Sequence, residues 1–275
     1  MSVSLHQFWI VMGLTTIAGL ATGIGGLLAF FSRPGKDNGR FLSASLGFSG
    51  GVMVFISLAE LMPEARHALV GEYGSPHGGL LAMLALAAGM VITAVIDKMI
   101  PEVENPHHVR SEEEFNHAGD ASEDERRKLG RSGLMFALAI GIHNFPEGLA
   151  TFAGGLSGMD VALPLTCAIA LHNIPEGIAI AVPRFYATGN RKKAFMYSLF
   201  SGLAEPVGAL IGFLILMPFL SATLLAVLFA IVAGIMIYIT FDELLPMAET
   251  YGQHHIVLAG LLLGMLGMGA VMEFM

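Results

Sequence analysis

Two short segments of the chain carry the same chemically active side chains at the same spacing. Residues 142–148 read Ile-His-Asn-Phe-Pro-Glu-Gly, and residues 171–177 read Leu-His-Asn-Ile-Pro-Glu-Gly. On a helix, residues three or four positions apart project from the same side, so each segment brings its His, Asn and Glu together. Imidazole nitrogen, amide oxygen and carboxylate oxygen are ligands for divalent transition metals. The two segments therefore predict one metal site shared by two helices, with these candidate ligands: His143, Asn144, Glu147, His172, Asn173 and Glu176.

A third apolar segment adds another carboxylate. Residues 201–208 read Ser-Gly-Leu-Ala-Glu-Pro-Val-Gly, which places Glu205 near the middle of a hydrophobic run. Three buried carboxylates would repel one another if all were ionised, and one or two divalent cations would remove that conflict. We therefore include Glu205 among the candidate metal ligands. The alternative for this residue is a protonated Glu that is hydrogen-bonded to a neighbouring helix.

The elements that must position these residues are membrane-spanning helices. Of the 275 residues, 55% are hydrophobic and only 13% are charged, which is typical of a polytopic membrane protein and not of a soluble domain. The single cysteine, Cys167, excludes an internal disulfide and a metal site built from cysteines. We predict an all-α fold with eight transmembrane helices in one transporter domain, residues 1–275. The apolar runs that predict these spans are 5–31, 41–63, 79–100, 132–156, 160–183, 194–217, 221–247 and 254–274.

The positive charges predict the orientation of the chain in the membrane. All but one of the 14 Lys and Arg residues lie between spans 1 and 2, 3 and 4, or 5 and 6, and the exception is Arg66. Because cytoplasmic loops are enriched in Lys and Arg, these three connections are predicted to be cytoplasmic, with both termini outside the cytoplasm. The polar segment 101–131 is predicted to be a flexible cytoplasmic loop, and its histidines would either be solvated or collect metal. The net charge of −8 gives no support to nucleic-acid binding.

An internal repeat joins the second span to the seventh. Residues 51–65 and 234–248 align without a gap, sharing Gly, Met, Glu, Leu, Pro and Ala. The charge pattern gives these spans opposite directions, which predicts an inverted repeat, spans 1–3 against 6–8, around the central spans 4 and 5. Inverted repeats are typical of alternating-access transporters. Glu60 and Glu64 would then lie near the external entry and Asp242 and Glu243 near the cytoplasmic exit, unless they are only interfacial acids at helix ends.

These motifs resemble those of the ZIP (Zrt/Irt-like) family of divalent-metal transporters, most closely its bacterial ZupT-like branch. The resemblance rests on the paired His-Asn-x-Pro-Glu-Gly, the Glu-Pro-x-Gly of span 6, the eight spans and the His-containing 3-4 loop, and it covers essentially the whole chain. It implies metal import across a bacterial inner membrane through a binuclear centre. One ion would be held by His143, Glu147, His172 and Glu176, and the other by Asn144, Asn173 and Glu205, with Glu147 and Glu176 bridging. It also implies that spans 1, 4, 5 and 6 move as a block against the others, commonly within a homodimer.

We therefore predict a transporter, not an enzyme, that carries Zn²⁺, with Fe²⁺, Mn²⁺, Co²⁺ and Cd²⁺ as further candidate substrates, and that needs no cofactor. Its partners are the metal ions, the lipid bilayer and a possible second copy of the chain. Since the ligands must be deprotonated to bind, metal occupancy should fall as the pH drops. The alternative from another class is an intramembrane metal-dependent hydrolase, which would keep an open position for water and a general base. A metal sensor that binds the ion without passing it is the third hypothesis.

Overall fold

The computed structural model describes residues 4–27, 31, 39–99, 141, 144–219, 221–251 and 254–274. In these ranges the chain forms eight helices, which confirms the all-helical prediction: α1 (Leu5–Leu27), α2 (Gly39–Tyr73), α3 (His77–Met99), α4 (144–157), α5 (Met159–Thr188), α6 (191–216), α7 (222–251) and α8 (His254–Glu273). Seven of the helices in the described part are long and apolar enough to cross a membrane. The helix that is not among them is α4. Its predicted first half and the predicted loop 101–131 lie outside the described residues.

Two of the long helices contain a π-helical turn at the same place. The turns are Ser57–Leu61 in α2 and Thr240–Leu244 in α7, and the gapless alignment of the repeat pairs these five positions with one another. Each turn is followed two residues later by a proline, Pro63 or Pro246, whose missing N–H and bulky ring disfavour a regular α-helical turn. The wider turn lets the chain pass the proline without ending the helix. This explains why α2 continues to Tyr73, beyond the predicted end of span 2.

The same glycine contacts recur in two helix pairs of the repeat. Small residues allow two helix backbones to approach closely. At four glycines a β-carbon would overlap a carbonyl oxygen of the partner helix: Gly51 on Leu261 and Gly264 on Phe48 between α2 and α8, and Gly234 on Leu86 and Gly89 on Ile231 between α7 and α3. Gly51 is aligned with Gly234 and Phe48 with Ile231, so the two pairs use equivalent positions. This likeness is one of packing, and the inverted orientation of the repeat stays a prediction.

The two repeat helices also contact each other, and they run in opposite directions along that contact. Near the start of α2, the Ser43 hydroxyl donates to the Ala248 carbonyl near the end of α7, at 2.7 Å. Near the end of α2, Leu69 packs with Ala226 near the start of α7. The π-helical turns lie between these points, where Thr240 contacts Met53.

The contacts divide the helices into two groups. In the first, α1 packs against α5 and α6, and α4 packs against α6; we call α1, α4, α5 and α6 the site-bearing group. In the second, α2 packs against α7 and α8, and α3 packs against α7; we call α2, α3, α7 and α8 the framework group. The groups meet where α2 packs along α5. The helix that carries the second motif therefore lies at the boundary between them.

Candidate metal site

The predicted ligands lie in the interior of the site-bearing group. Six of the seven fall within the described residues, and each is no more than 1% exposed: Asn144, Glu147, His172, Asn173, Glu176 and Glu205. The seventh, His143, lies outside the described residues. Polar side chains are rarely buried to this degree unless they are satisfied by partners or by a bound ion. Helices α4, α5 and α6 thus bring three carboxylates, an imidazole and two amides into one buried region.

One contact joins the two motif helices directly. The Nε2 atom of His172 on α5 lies 3.0 Å from the Oε1 atom of Glu147 on α4. A carboxylate and an imidazole at this distance can share a proton. When Nε2 is not protonated, both atoms carry lone pairs and can coordinate the same cation. The second motif's His and the first motif's Glu meet across the helix pair.

A second contact joins α5 to α6. The amide nitrogen of Asn173 donates to Oε1 of Glu205 and also to the backbone carbonyl of Ala18 on α1, the latter at 2.9 Å. Glu205 lies in the first turn of the second half of α6, because the helix is interrupted at Leu203 between Arg191–Gly202 and Ala204–Leu216. Pro206 cannot donate a hydrogen bond to the carbonyl four residues earlier, which favours this break. The interruption therefore lies beside the carboxylate that Asn173 contacts.

The two asparagines are oriented by backbone carbonyls. Asn144 donates its amide nitrogen to the Ser201 carbonyl on α6 at 3.3 Å, as Asn173 does to Ala18. Since a backbone carbonyl can only accept, the nitrogen of each amide must face it and the oxygen must point elsewhere. Both Oδ1 atoms are buried and have no hydrogen-bond partner among the described residues. Amide oxygens held in this way are suited to bind a cation.

The charge of the buried region favours a cation. Glu147, Glu176 and Glu205 are all buried, and no Lys or Arg belongs to the buried residues of the described part. A charged side chain at the middle of a transmembrane helix costs about 2.5–3.5 kcal/mol on insertion scales, so unneutralised carboxylates would be costly here. Protons, a charged histidine or a metal ion could supply the positive charge. Within the described ranges, no three His, Cys, Asp or Glu side chains are grouped so that they could hold a metal, and the contacts join two pairs of predicted ligands, Glu147 with His172 and Asn173 with Glu205.

The predicted entry and exit acids lie elsewhere, and they are less buried. Glu60 belongs to the first π-helical turn, and Asp242 and Glu243 belong to the second; Glu64 follows the first by one turn of helix. All four are half-buried, and Glu60 is aligned with Glu243 in the repeat. Their placement on a pair of equivalent turns was not predicted, although the two prolines were visible in the sequence.

Three groups that contact the site were missed by sequence reasoning. They are the carbonyls of Ala18 and Ser201, which orient the asparagines, and the Ser49 hydroxyl, which donates to the His172 carbonyl at 3.2 Å. The carbonyls leave no signal, because every residue has one. Ser49 is one of several serines in span 2 and carries no distinguishing spacing.

With this site in place, the chain can be compared with known proteins. A profile of the ZIP Zinc transporter family matches residues 6–272. The chain belongs to the ZIP family. Its relatives in this family include proteins named zinc transporter ZupT from Akkermansia muciniphila, 53% identical over 99% of this chain and all of that protein, and from Clostridium perfringens, 50% identical over 93% of this chain and 92% of that protein. A ZupT from Streptococcus mutans is 51% identical over 96% of both chains.

Membership of the ZIP family confirms the predicted resemblance and the prediction of a multi-pass membrane protein. A ZIP protein is a transport protein and not an enzyme, so the hydrolase alternative is rejected. The ligand set, the orientation of the termini and the homodimer stay predictions.

Proposed function

We propose that this chain moves zinc across the membrane by binding it at the buried site of α4, α5 and α6 and exposing that site to each side in turn. The observation that carries the proposal is the burial of Glu147, Glu176 and Glu205 in a protein interior whose described part buries no Lys or Arg. A divalent cation bound among these carboxylates would balance their negative charge. The relatives in the ZIP family are named zinc transporters and match nearly the full length of this chain.

Two ions would divide the ligands. The first would be bound by His143, Glu147, His172 and Glu176, which offer the nitrogen and carboxylate ligands that Zn²⁺ prefers. The contact between Glu147 and His172 supports this half of the site. The second ion would use Asn144, Asn173 and Glu205, with Glu147 and Glu176 bridging to the first.

The second half of the site is supported by the contact between Asn173 and Glu205 and by the two oriented amide oxygens. It is richer in oxygen than the first half, and oxygen ligands suit harder ions than zinc. We therefore expect the second half to tolerate Mn²⁺ or Fe²⁺ as well. The nitrogen-containing half would accept Zn²⁺, Co²⁺ or Cd²⁺.

Alternating exposure would come from motion of the site-bearing group against the framework group. The antiparallel contact of α2 with α7 and the equivalent glycine contacts of α2–α8 and α7–α3 support an inverted repeat within the chain. In such a repeat the same packing can be rearranged to open either side of the membrane. The acids of the two π-helical turns would attract metal at the entry and at the exit.

Direction and assembly follow from the charge pattern and the family. The loops with Lys and Arg would face the cytoplasm, both termini would lie outside it, and metal would be imported. A homodimer would bury part of the exposed apolar surface of α3, of which Leu80, Met83, Leu84 and Val91 are each more than half exposed. Lipid would cover that surface in a monomer.

Zinc uptake into sealed proteoliposomes tests the proposal. The His172→Ala/Glu176→Ala double variant loses two of the four proposed ligands of the first ion. We expect its uptake of radioactive zinc to fall about 100-fold or more, because removing only a supporting partner of a metal ligand already costs about 10- to 100-fold in affinity or activity. After an external chelator wash, zinc accumulated by the wild type should stay protected inside.

The matched control is Glu273→Gln, which removes one exposed acid near the end of α8 and should leave uptake unchanged. Equal uptake by the double variant and the wild type would reject the site. Zinc that binds to the wild type but is never protected from chelator would favour a metal sensor instead.

A further inference from the structure

The contacts inside each helix group differ from the contact between the groups. At several glycines, an added β-carbon would overlap the backbone of a neighbouring helix. Such glycines occur within the site-bearing group, as at Gly19 against Gly202 and Gly148 against Glu205, and within the framework group, as at Gly51 against Leu261. Among the described glycines, none makes such a contact from one group to the other. Small residues let two helix backbones approach closely, so the helices within each group are in close backbone contact, and the described glycines form no such contact across the boundary.

One side-chain hydrogen bond crosses that boundary at the metal site. Ser49 on α2 is fully buried, and its hydroxyl donates to the backbone carbonyl of His172 on α5 at 3.2 Å. The imidazole of the same residue contacts Glu147. The framework group therefore contacts the main chain of a proposed metal ligand.

The backbone of α5 has one internal hydrogen bond fewer at that point. Pro175 has no N–H to donate to the carbonyl of Leu171, so the helix lacks one internal hydrogen bond in the turn that contains His172. The Ser49 hydroxyl supplies an additional bond to the carbonyl next to it. The position of His172 along its helix is therefore set partly by a residue of the other group.

We propose that Ser49 is a positioning residue, which holds the His172 turn of α5 against the framework group in the conformation described here and must release it when the site moves. The proposal rests on the proposed alternating exposure of the site. A neutral hydrogen bond contributes about 1 kcal/mol net, which corresponds to about fivefold in an equilibrium. Loss of the hydroxyl should therefore depopulate the described conformation about fivefold.

A second serine on the same helix provides the control. Ser43 is also fully buried, and its hydroxyl donates to a helix carbonyl, that of Ala248, at 2.7 Å. Its partner lies on α7, inside the framework group. Ser43→Ala therefore removes an equivalent bond without affecting the boundary, and it should lower thermal stability while leaving the balance of conformations unchanged.

The experiment measures distances between the groups in the full-length protein in lipid nanodiscs. In a Cys167→Ser background, spin labels are attached at His77→Cys on α3 and Met159→Cys on α5, both exposed positions. Pulsed electron–electron double resonance then gives the distribution of distances between the two labels, and each distance in it corresponds to one arrangement of the groups. Ser49→Ala should reduce the population of the main wild-type distance about fivefold relative to the others, Ser49→Thr should restore it, and Ser43→Ala should match the wild type.

Wild-type populations in Ser49→Ala would overturn the proposal, as would an equal shift in Ser43→Ala or failure of Ser49→Thr to restore the wild-type distribution. A single distance in every variant, with and without zinc, would also overturn it, because the protein would then have one conformation and the hydrogen bond would never need to break. Zinc uptake by the wild type in proteoliposomes separates this failure from failure of the proposed function. If the wild type transports zinc but Ser49→Ala leaves the populations unchanged, only the role of Ser49 is rejected.

Discussion

The two helix groups both consist of apolar helices, but they differ in which polar side chains they bury. The site-bearing group buries carboxylates, an imidazole and amides, and it orients the amides with carbonyls of α1 and α6. The framework group buries no carboxylate among its described residues; three of its acids, Glu60, Asp242 and Glu243, lie half-buried on the two equivalent π-helical turns, and others are exposed. The predicted metal ligands are therefore held by several neighbouring helices, whereas the predicted entry and exit acids are only partly covered by protein.

The groups also differ in symmetry. In the framework group, the α2–α8 pair and the α7–α3 pair make equivalent glycine contacts. In the site-bearing group, the reciprocal glycine contacts join α1 to α6 at Gly19 and Gly202, and α4 to α6 at Gly148 and Gly208. Helix α6, which carries the predicted ligand Glu205, therefore packs closely against two neighbours, whereas the framework group repeats one kind of contact in two helix pairs.

The largest effect that would test this comparison is on stability. Gly51→Ala and Gly234→Ala each place a β-carbon on a carbonyl oxygen of the partner helix, and the contacts are equivalent in the repeat. We expect both to destabilise the protein by a similar amount, about 1–3 kcal/mol, which is usual for overpacking a well-packed interface. Thermal unfolding in lipid nanodiscs measures the effect.

The control for these variants is Gly71→Ala on the exposed end of α2, where a β-carbon meets no atom within 4 Å. It should be neutral or stabilising by about 0.5–1 kcal/mol, because alanine favours a helix over glycine. A large loss at only one of the two repeat positions would show that the pairs are not equivalent.

The next effect separates the two halves of the metal site. Glu205→Gln keeps the size of the side chain and an oxygen that Asn173 can reach, but it removes the negative charge. We expect bound zinc to fall from two ions to one and the uptake rate to fall about tenfold, about 1.4 kcal/mol. Calorimetric titration gives the number of ions, and proteoliposome uptake gives the rate.

The control for Glu205→Gln is Glu249→Gln. The carboxylate of Glu249 is about half exposed and hydrogen-bonded to His254 at the surface. This control should retain the wild-type stoichiometry. Two zinc ions bound to Glu205→Gln would show that Glu205 does not hold the second ion.

The smallest effect concerns the π-helical turns. Glu60→Gln and Glu243→Gln remove aligned, half-buried acids, and each should lower the zinc uptake rate only two- to fivefold, below about 1 kcal/mol, because these acids attract the ion without holding it. Glu72→Gln, at an exposed position of α2, serves as the reference. A loss as large as that of Glu205→Gln would place these acids in the binding site and remove the distinction between the groups.

Much of the site could be predicted because its signal is local. The spacing of His, Asn and Glu within one helical turn, repeated in the next span, identified residues that the structure then places at 0–1% exposure. Glu205 was predicted from a different signal, a single acid in an apolar run, and it is also fully buried. The apolar run that predicts span 2 stops at Pro63, whereas α2 continues to Tyr73; the run marks only the hydrophobic part of the helix, and the π-helical turn that accommodates the proline left no signal in hydropathy.

The sequence by itself determined that this is a polytopic helical membrane protein of the ZIP family with a duplicated ligand motif, since hydrophobic length and helical spacing are properties of each segment alone. Only the tertiary structure decided which ligands touch, that Asn144 and Asn173 turn their oxygens inward, and that Ser49 bonds to the His172 carbonyl. These contacts depend on the rotation of each helix about its axis and on backbone atoms that every residue possesses. The rotation is set by the sum of close contacts with neighbouring helices, which no single segment encodes.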